Sequence, residues 1–425
     1  MERFIGLIGL LVLLGICIAM SNNRRKINPR TLIGGFGLQL LMCIVLLKWQ
    51  AGNDAMQWLA GKVESFLGLA LHGERFLFGN LVDQAYQASF GFQFAFIVLP
   101  TIIFFASITS ILYYLGVMQK VIEGFAWVMS RIMKTSGAES LSCSAEIFLG
   151  QTEAPLLIRP FLSKLTMSEL CTIMIGGFGT IAGSVMAGYI QMGIPAQHVI
   201  IASCMSAPIC LMVAKIIYPE VEQPETGASV KLPKVDAGQN LLDAASRGVT
   251  DGLNLALNVG AMLVAFIALV ALVDKLMLIG DRWIDGRLLG GVLMENGEYS
   301  GYFPGSLKTF FGNLLSPLAY LMGVPKADVK EVGHLLGLKI GVNEFVAYAK
   351  LAPEIAAGTI SQKGGIMATY MLCGFANFAS IGIQIGGTGS LAPDRRSDIA
   401  KLGLRAMFGG AIVSCINATV IGLMI

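Results

Sequence analysis

The residues 150–155, Gly-Gln-Thr-Glu-Ala-Pro, set an amide, a hydroxyl and a carboxylate side by side between two apolar segments, 141–149 and 156–162. A second acid, Glu344, follows Asn343 between the short, largely apolar arms 332–342 and 345–357. A membrane-spanning helix needs roughly 20 apolar residues, and none of these four arms reaches that length. Each polar tip therefore reads as a re-entrant hairpin, whose irregular backbone must be buried in protein or line an aqueous cavity. Ionisable groups at such depth are costly and mark function. Glu153 and Glu344 could form an acid/base pair, but no nucleophile, metal or cofactor motif accompanies them. Donors and acceptors on the tips suit binding better than bond cleavage.

The elements that must carry these tips are membrane helices. Of 425 residues 55% are apolar and 13% charged, and the mean hydropathy is +0.70. A soluble domain carries roughly 25% charged residues. The net charge of +3, with no long basic run, excludes a nucleic-acid partner. The eight cysteines are scattered, mostly within apolar runs, and the three histidines (72, 198 and 334) stand far apart. With no CxxC and no HExxH, a zinc site and an intramembrane metalloprotease are both excluded. No cofactor is expected.

Eight spans are expected. The runs 4–20 and 31–47 flank a loop holding Arg24, Arg25, Lys26 and Arg30, which places that loop in the cytoplasm and the N-terminus outside. Residues 53–87 mix charged and apolar groups and read as amphipathic helices along the outer interface. Span three is 94–118, and an interfacial helix at 121–133 leads to the first hairpin. Span four (171–197) contains Gly176, Gly177, Gly179, Gly183 and Gly188 around Thr180 and Ser184, the pattern of a helix broken near mid-membrane with carbonyls free as ligands. Span five has its core at 199–213, and a polar connection over 218–248 leads to span six at 252–273. Residues 274–305 form an outer loop, 309–324 a half-buried helix, and the second hairpin precedes spans seven (364–387) and eight (406–425).

The second half repeats the first. Residues 177–183 (GFGTIAG) and 374–380 (GFANFAS) share the form G-F-small-polar-apolar-A-small, and each follows an acidic hairpin tip. The first hairpin enters from inside and the second from outside, so the units are inverted. Inverted repeats with discontinuous helices meeting at the midplane are the architecture of secondary transporters.

At these residues the chain resembles the concentrative nucleoside transporters. The resemblance covers nearly the whole chain from Phe4 and rests on GQTEAPLLIRP (150–160), IAGSVMAGY (181–189), LNVGAMLVAF (257–266), VNEFVAY (342–348), CGFANFASI (373–381) and GSLAPDRRSDIAKLG (389–403). It implies an all-α homotrimer in the bacterial inner membrane, each subunit with eight spans and two opposed hairpins. It implies import of nucleosides such as uridine by an elevator movement driven by a cation. The division it suggests is a scaffold part at 1–119, a transport part at 120–217, a polar loop at 218–251, scaffold span six with its outer element at 252–325, and a second transport part at 326–425.

Matched position by position, the resemblance implies that Gln151 and Thr152 contact the nucleobase, that Glu153 acts through water, and that Val185 lines the base pocket. Glu344, Asn377 and Ser380 would hold the ribose hydroxyls, with Phe375 beside them. A sodium ion would be held by position 146, the carbonyls of Leu149 and Ile181, and the Thr180 hydroxyl. The departure is Glu146, where sodium-coupled members carry asparagine. Its carboxylate could hold sodium, or take up a proton because burial disfavours the charged form. Glu146 thus makes a proton-coupled nucleoside symporter the alternative.

Overall fold

Helix starts in this chain are set by polar residues whose side chains take the first free backbone N–H groups. Asn28 accepts from Arg30 N at 3.0 Å, with Pro29 opening the helix. Ser136 and Thr166 each head a reciprocal capping box, with Glu139 and Glu169. Asn240, Ser306, Asn343, Ser361 and Asn377 cap later helices through the same kind of bond.

The computed structural model describes residues 2–86, 89, 91–227 and 238–425. The first elements are α1 (Glu2–Ala19), α2 (Pro29–Cys43, continued by a π turn to Lys48), α3 (Gln50–Leu67), α4 (Ala70–Phe78), α5 (Phe94–Tyr114) and α6 (Val117–Met133). The first hairpin consists of α7 (Gly137–Ala145), the tip, α8 (Ala154–Leu157) and a 3-10 turn (Arg159–Lys164). Then come α9 (Met167–Gly179), α10 (Gly183–Gln191), α11 (Ala196–Ile217) and α12 (Leu241–Asp281). After α13 (Leu307–Leu321), the second hairpin is α14 (Val329–Gly341) and α15 (Glu344–Ala357), followed by α16 (Gln362–Leu372), α17 (Phe378–Leu391) and α18 (Arg396–Met424). Among the described residues the only non-helical pairing is one isolated bridge, Leu293 to Tyr299.

Among the described residues, seven helical stretches are long and apolar enough to cross a membrane. The expected seventh span is instead two half-helices, α16 and α17, neither long enough alone. Span four is likewise broken, into α9 and α10, and ends at Gln191; residues 196 and 197 open the next helix. Span six begins well before residue 252, because Asn240 caps α12 inside the stretch expected to be polar loop. Of that connection, residues 228–237 lie outside the described residues, as does residue 87 at the end of the amphipathic stretch.

Helix α5 packs along α12. A Cβ on Gly248 would lie 2.6 Å from Ala106 O, and one on Gly252 would lie 2.7 Å from Ile103 Cα, so the contact requires residues this small. In contrast α1 packs along α18 and α2 along α11. Gln39 of α2 donates to Asn417 Oδ1 (2.7 Å), and Asn417 donates to Ser206 Oγ (2.8 Å), all three fully buried. The first two spans thus pack against helices of the body that holds the hairpins.

Candidate functional site

The two broken spans meet at the centre of that body. Residues 180–182 between α9 and α10 are extended, and Phe375 N in the other break donates to Thr180 O at 3.2 Å. Gly374 has φ +148°, and a Cβ there would lie 2.8 Å from Phe178 O, so the crossing requires glycine. Both tips reach the breaks. Gly183 N donates to Phe148 O at 2.9 Å, and a Cβ on Gly177 would sit 2.7 Å from Gln151 Cβ.

One cavity lies between the tips, and all eight expected substrate residues line it. The first repeat supplies Gln151, Thr152, Glu153 and Val185; the second supplies Glu344, Phe375, Asn377 and Ser380. The polar groups are tied together without exhausting their capacity. Glu344 accepts from Tyr189 Oη at 3.1 Å and from Asn377 Nδ2 at 3.2 Å. Asn377 Oδ1 caps α17 by accepting from Ser380 N at 2.8 Å. Gln151 Nε2 donates to Ser380 Oγ at 3.3 Å, while Gln384 donates to Gln151 Oε1 at 3.2 Å and to Met174 O at 3.0 Å. Glu153 accepts from Gly150 N at 3.2 Å and also lines a second cavity that runs to Arg247 and Asp251, so solvent reaches it although protein surrounds it.

Three features of the site escaped sequence reasoning. Tyr189 is fully buried and bonded to Glu344, but a tyrosine in an apolar helix carries no distinguishing signal. Gln384 did carry one: with Asn377 and Ser380 it makes a polar i, i+3, i+7 stripe along one face of an otherwise apolar helix. The facing wall, Leu255, Val259, Met262 and Leu263 of α12, is apolar and reads as an ordinary span.

Glu146 ends α7 with no exposed surface, and neither carboxylate oxygen has a hydrogen-bond partner. The Ser142 hydroxyl is the polar side chain beside it. A Cβ on Gly176 would overlap the Glu146 carboxylate. Thr180 Oγ1 donates to Gly176 O at 2.9 Å, which leaves its lone pairs free to accept. Among the described residues no hydrogen bond engages the Leu149 or Ile181 carbonyl. The following residues of each segment meet, since a Cβ on Gly150 would lie 3.4 Å from that of Ala182. Glu146, Leu149, Thr180 and Ile181 thus offer hard oxygen donors around one break. A buried carboxylate without a partner is costly, and a cation or a proton supplies what it lacks.

The first hairpin is held by a buried charge network at its base. Lys215 Nζ lies 2.8 Å from Glu139 Oε2 and 3.3 Å from Glu220 Oε2, and donates to Ser168 Oγ at 2.8 Å. Ser136 Oγ donates to Glu169 Oε1 at 2.5 Å, so the two capping boxes are cross-linked. The start of α7, where the hairpin begins, is thereby fixed to the start of α9 and the end of α11.

Three family descriptions match successive parts of the chain. The Na+ dependent nucleoside transporter N-terminus matches residues 8–81, a nucleoside-recognition gate matches 95–196, and the Na+ dependent nucleoside transporter C-terminus matches 198–422. An uncharacterized transporter of Haemophilus influenzae is 41% identical, with 99% of this chain and 97% of that one aligned. Sodium/nucleoside cotransporter 1 of Rattus norvegicus is also 41% identical over all of this chain, which spans 64% of the rat protein. The solved structure of CNTnw in an inward-facing substrate-bound state superposes with a TM-score of 0.90 at 37% identity, covering 100% of this chain and 98% of that one. A variant of the same transporter in an outward-facing state gives the same TM-score at 36% identity.

Proposed function

Because the chain belongs to the sodium-dependent nucleoside transporter family, we propose that it imports nucleosides, uridine among them, by cation symport. The family is one of transporters, not enzymes. The observation that carries the reading is the single cavity in which two opposed tips present different chemistry. Gln151 and Thr152, with Glu153 acting through water, match the planar amide-like edge of a base. Glu344, Asn377 and Ser380 match vicinal ribose hydroxyls, and Val185 and Phe375 supply apolar walls.

The packing supports an elevator. The α5–α12 pair makes an apolar frame that faces the cavity, and the remaining spans with both hairpins form the carried body. Spans one and two ride with that body, since Gln39 is bonded into α18. The outward ridge of α12, including Leu257, Val264 and Leu276, is exposed and apolar; lipid and two further copies in a homotrimer would cover it. The basic segments Arg24–Lys26 and 395–405, the latter at the start of α18, face the cytoplasm in this orientation, as the positive-inside rule asks of a multi-pass bacterial inner-membrane protein.

Sodium is the coupling ion we assign, at Glu146, Thr180 and the Leu149 and Ile181 carbonyls. A proton on Glu146 is the second reading, favoured by its two unpaired carboxylate oxygens. Uptake of labelled uridine into proteoliposomes, with sodium and pH gradients imposed separately, decides between them. Sodium coupling gives accumulation that requires sodium at every pH. Proton coupling gives accumulation under a pH gradient alone, abolished by Glu146→Gln. No concentrative uptake of any nucleoside under either gradient overturns the transport reading.

A further inference from the structure

The inverted repeat puts opposite charges at equivalent places. Aligning Gly177-Phe178-Gly179 with Gly374-Phe375-Ala376 makes Gly176 equivalent to Cys373, and Met174 to Met371. In the first repeat the hairpin arm brings the unpaired Glu146 carboxylate against Gly176. In the second, the arm α14 brings Lys339 to Met371, two residues before the position equivalent to Gly176. Lys339 has no exposed surface, and among the described residues no carboxylate lies within ion-pair distance of it. Its ammonium donates to Met371 O at 2.8 Å and to Ser414 Oγ at 2.8 Å, and Ser414 donates onward to Cys373 O at 3.0 Å.

These partners explain why a lone ammonium is stable there. Met371 lies in the last turn of α16, whose final carbonyls have no helical partner and carry the negative end of the helix dipole. Carbonyls at the ends of broken membrane helices are where such folds hold coupling cations. The first repeat presents a comparable end with an acid beside it and no cation of its own.

We propose that Lys339 is a built-in cation. It fills, in the second repeat, the place that the first repeat leaves to a mobile ion, and it positions the span-seven break so that Asn377 and Glu344 converge on the ligand. This positioning role does not depend on the cation reading of Glu146.

The test uses the purified full chain and calorimetric titration with uridine, the wild type serving as the control for the site itself. Lys339→Met keeps the length of the side chain and removes the charge, and should weaken uridine binding by about tenfold or more. Lys339→Ala should bind weakly and regain affinity with ethylammonium but not with ethanol of equal concentration. Should both variants fail to fold, Ser414→Ala leaves Lys339 in place and removes its link to Cys373 O; a loss of about threefold or more is expected. Wild-type affinity in Lys339→Met or Ser414→Ala, or equal rescue by ethanol, would each overturn the proposal.

Discussion

Replacing Glu344 by glutamine tests the division of the ligand between the tips. The carboxylate accepts one bond from Tyr189 and one from Asn377, and an ionised carboxylate has about four acceptor sites. About two therefore remain for ribose. A hydrogen bond to a charged group is worth roughly 1.5–3 kcal/mol, so two contribute about 3–6 kcal/mol, or about 10²- to 10⁴-fold in affinity. Glu344→Gln keeps the shape and one acceptor, and charge-assisted bonds are about twice as strong as neutral ones. The loss should then be about 2–4 kcal/mol, some 30- to 1,000-fold. Calorimetric titration with uridine and 2′,3′-dideoxyuridine forms a cycle with the variant. The wild type should discriminate strongly between the two ligands, and Glu344→Gln should lose most of that discrimination while binding the dideoxy analogue nearly as the wild type does. Equal weakening toward both ligands would refute the assignment of Glu344 to the ribose hydroxyls.

Lys215→Met leaves Glu139 buried without its cation and should cost about 3–5 kcal/mol; thermal unfolding in detergent should show a large fall in Tm, partly reversed by adding Glu139→Gln, and an unchanged Tm would count against the network. Gly252→Leu pushes a side chain into Ile103 and Ala106 of α5 and should destabilise by about 1–3 kcal/mol or more, whereas Gly15→Leu, with open space around it, should unfold at the wild-type temperature. On α4, outside the spans, burial pushes the Glu74 carboxyl up to about 7 against the bond it accepts from Thr101. Its folded pKa lies above its unfolded one, so the stability it contributes is full below about pH 4.5 and is lost as pH rises to about 7. The Tm of the wild type should fall over that range more steeply than that of Glu74→Gln; parallel profiles would remove Glu74 as the cause.

Much of the architecture is legible because polar residues are conspicuous in an apolar chain. Gln151, Glu153 and Glu344 stand between arms too short to span, and the glycines around Thr180 announce a break. The repeat of GFGTIAG by GFANFAS carries the second break, although the span around it reads as continuous. What stayed hidden depends on three-dimensional packing. Nothing in the composition of α1 and α2 says that they pack on α18 and α11 and not on α5; that choice is made by Gln39, Asn417 and Ser206, which are far apart in sequence. The apolar wall from α12 is invisible for the same reason, since an apolar residue facing a cavity looks like one facing lipid. The true start of α12 was masked by Asp243, Arg247 and Asp251, charges on a helix that extends beyond its apolar window.

If Glu146 holds the coupling cation and Gln151 the base, as proposed, the placement of Glu146 gives a physical reason for coupling between ion and nucleoside. Gly176 touches the Glu146 carboxylate, and its neighbour Gly177 touches Gln151 and Gln384. The ion place and the base end of the cavity therefore share one turn of α9 and the single break at 180–182. A charge or proton that settles Glu146 fixes the approach of the tip to that break, and with it the position from which Gln151 meets a base. The reverse holds as well, because a base held by Gln151 fixes the tip and so completes the oxygen donors around Glu146. Linkage of this kind is reciprocal and typically amounts to about 1–3 kcal/mol. The other repeat has no such dependence on a visitor if Lys339 is its cation, which would let the ribose end stay formed while the base end assembles with the ion. The asymmetry between an unpaired acid and a paired ammonium at equivalent places would then decide which tip responds to the gradient.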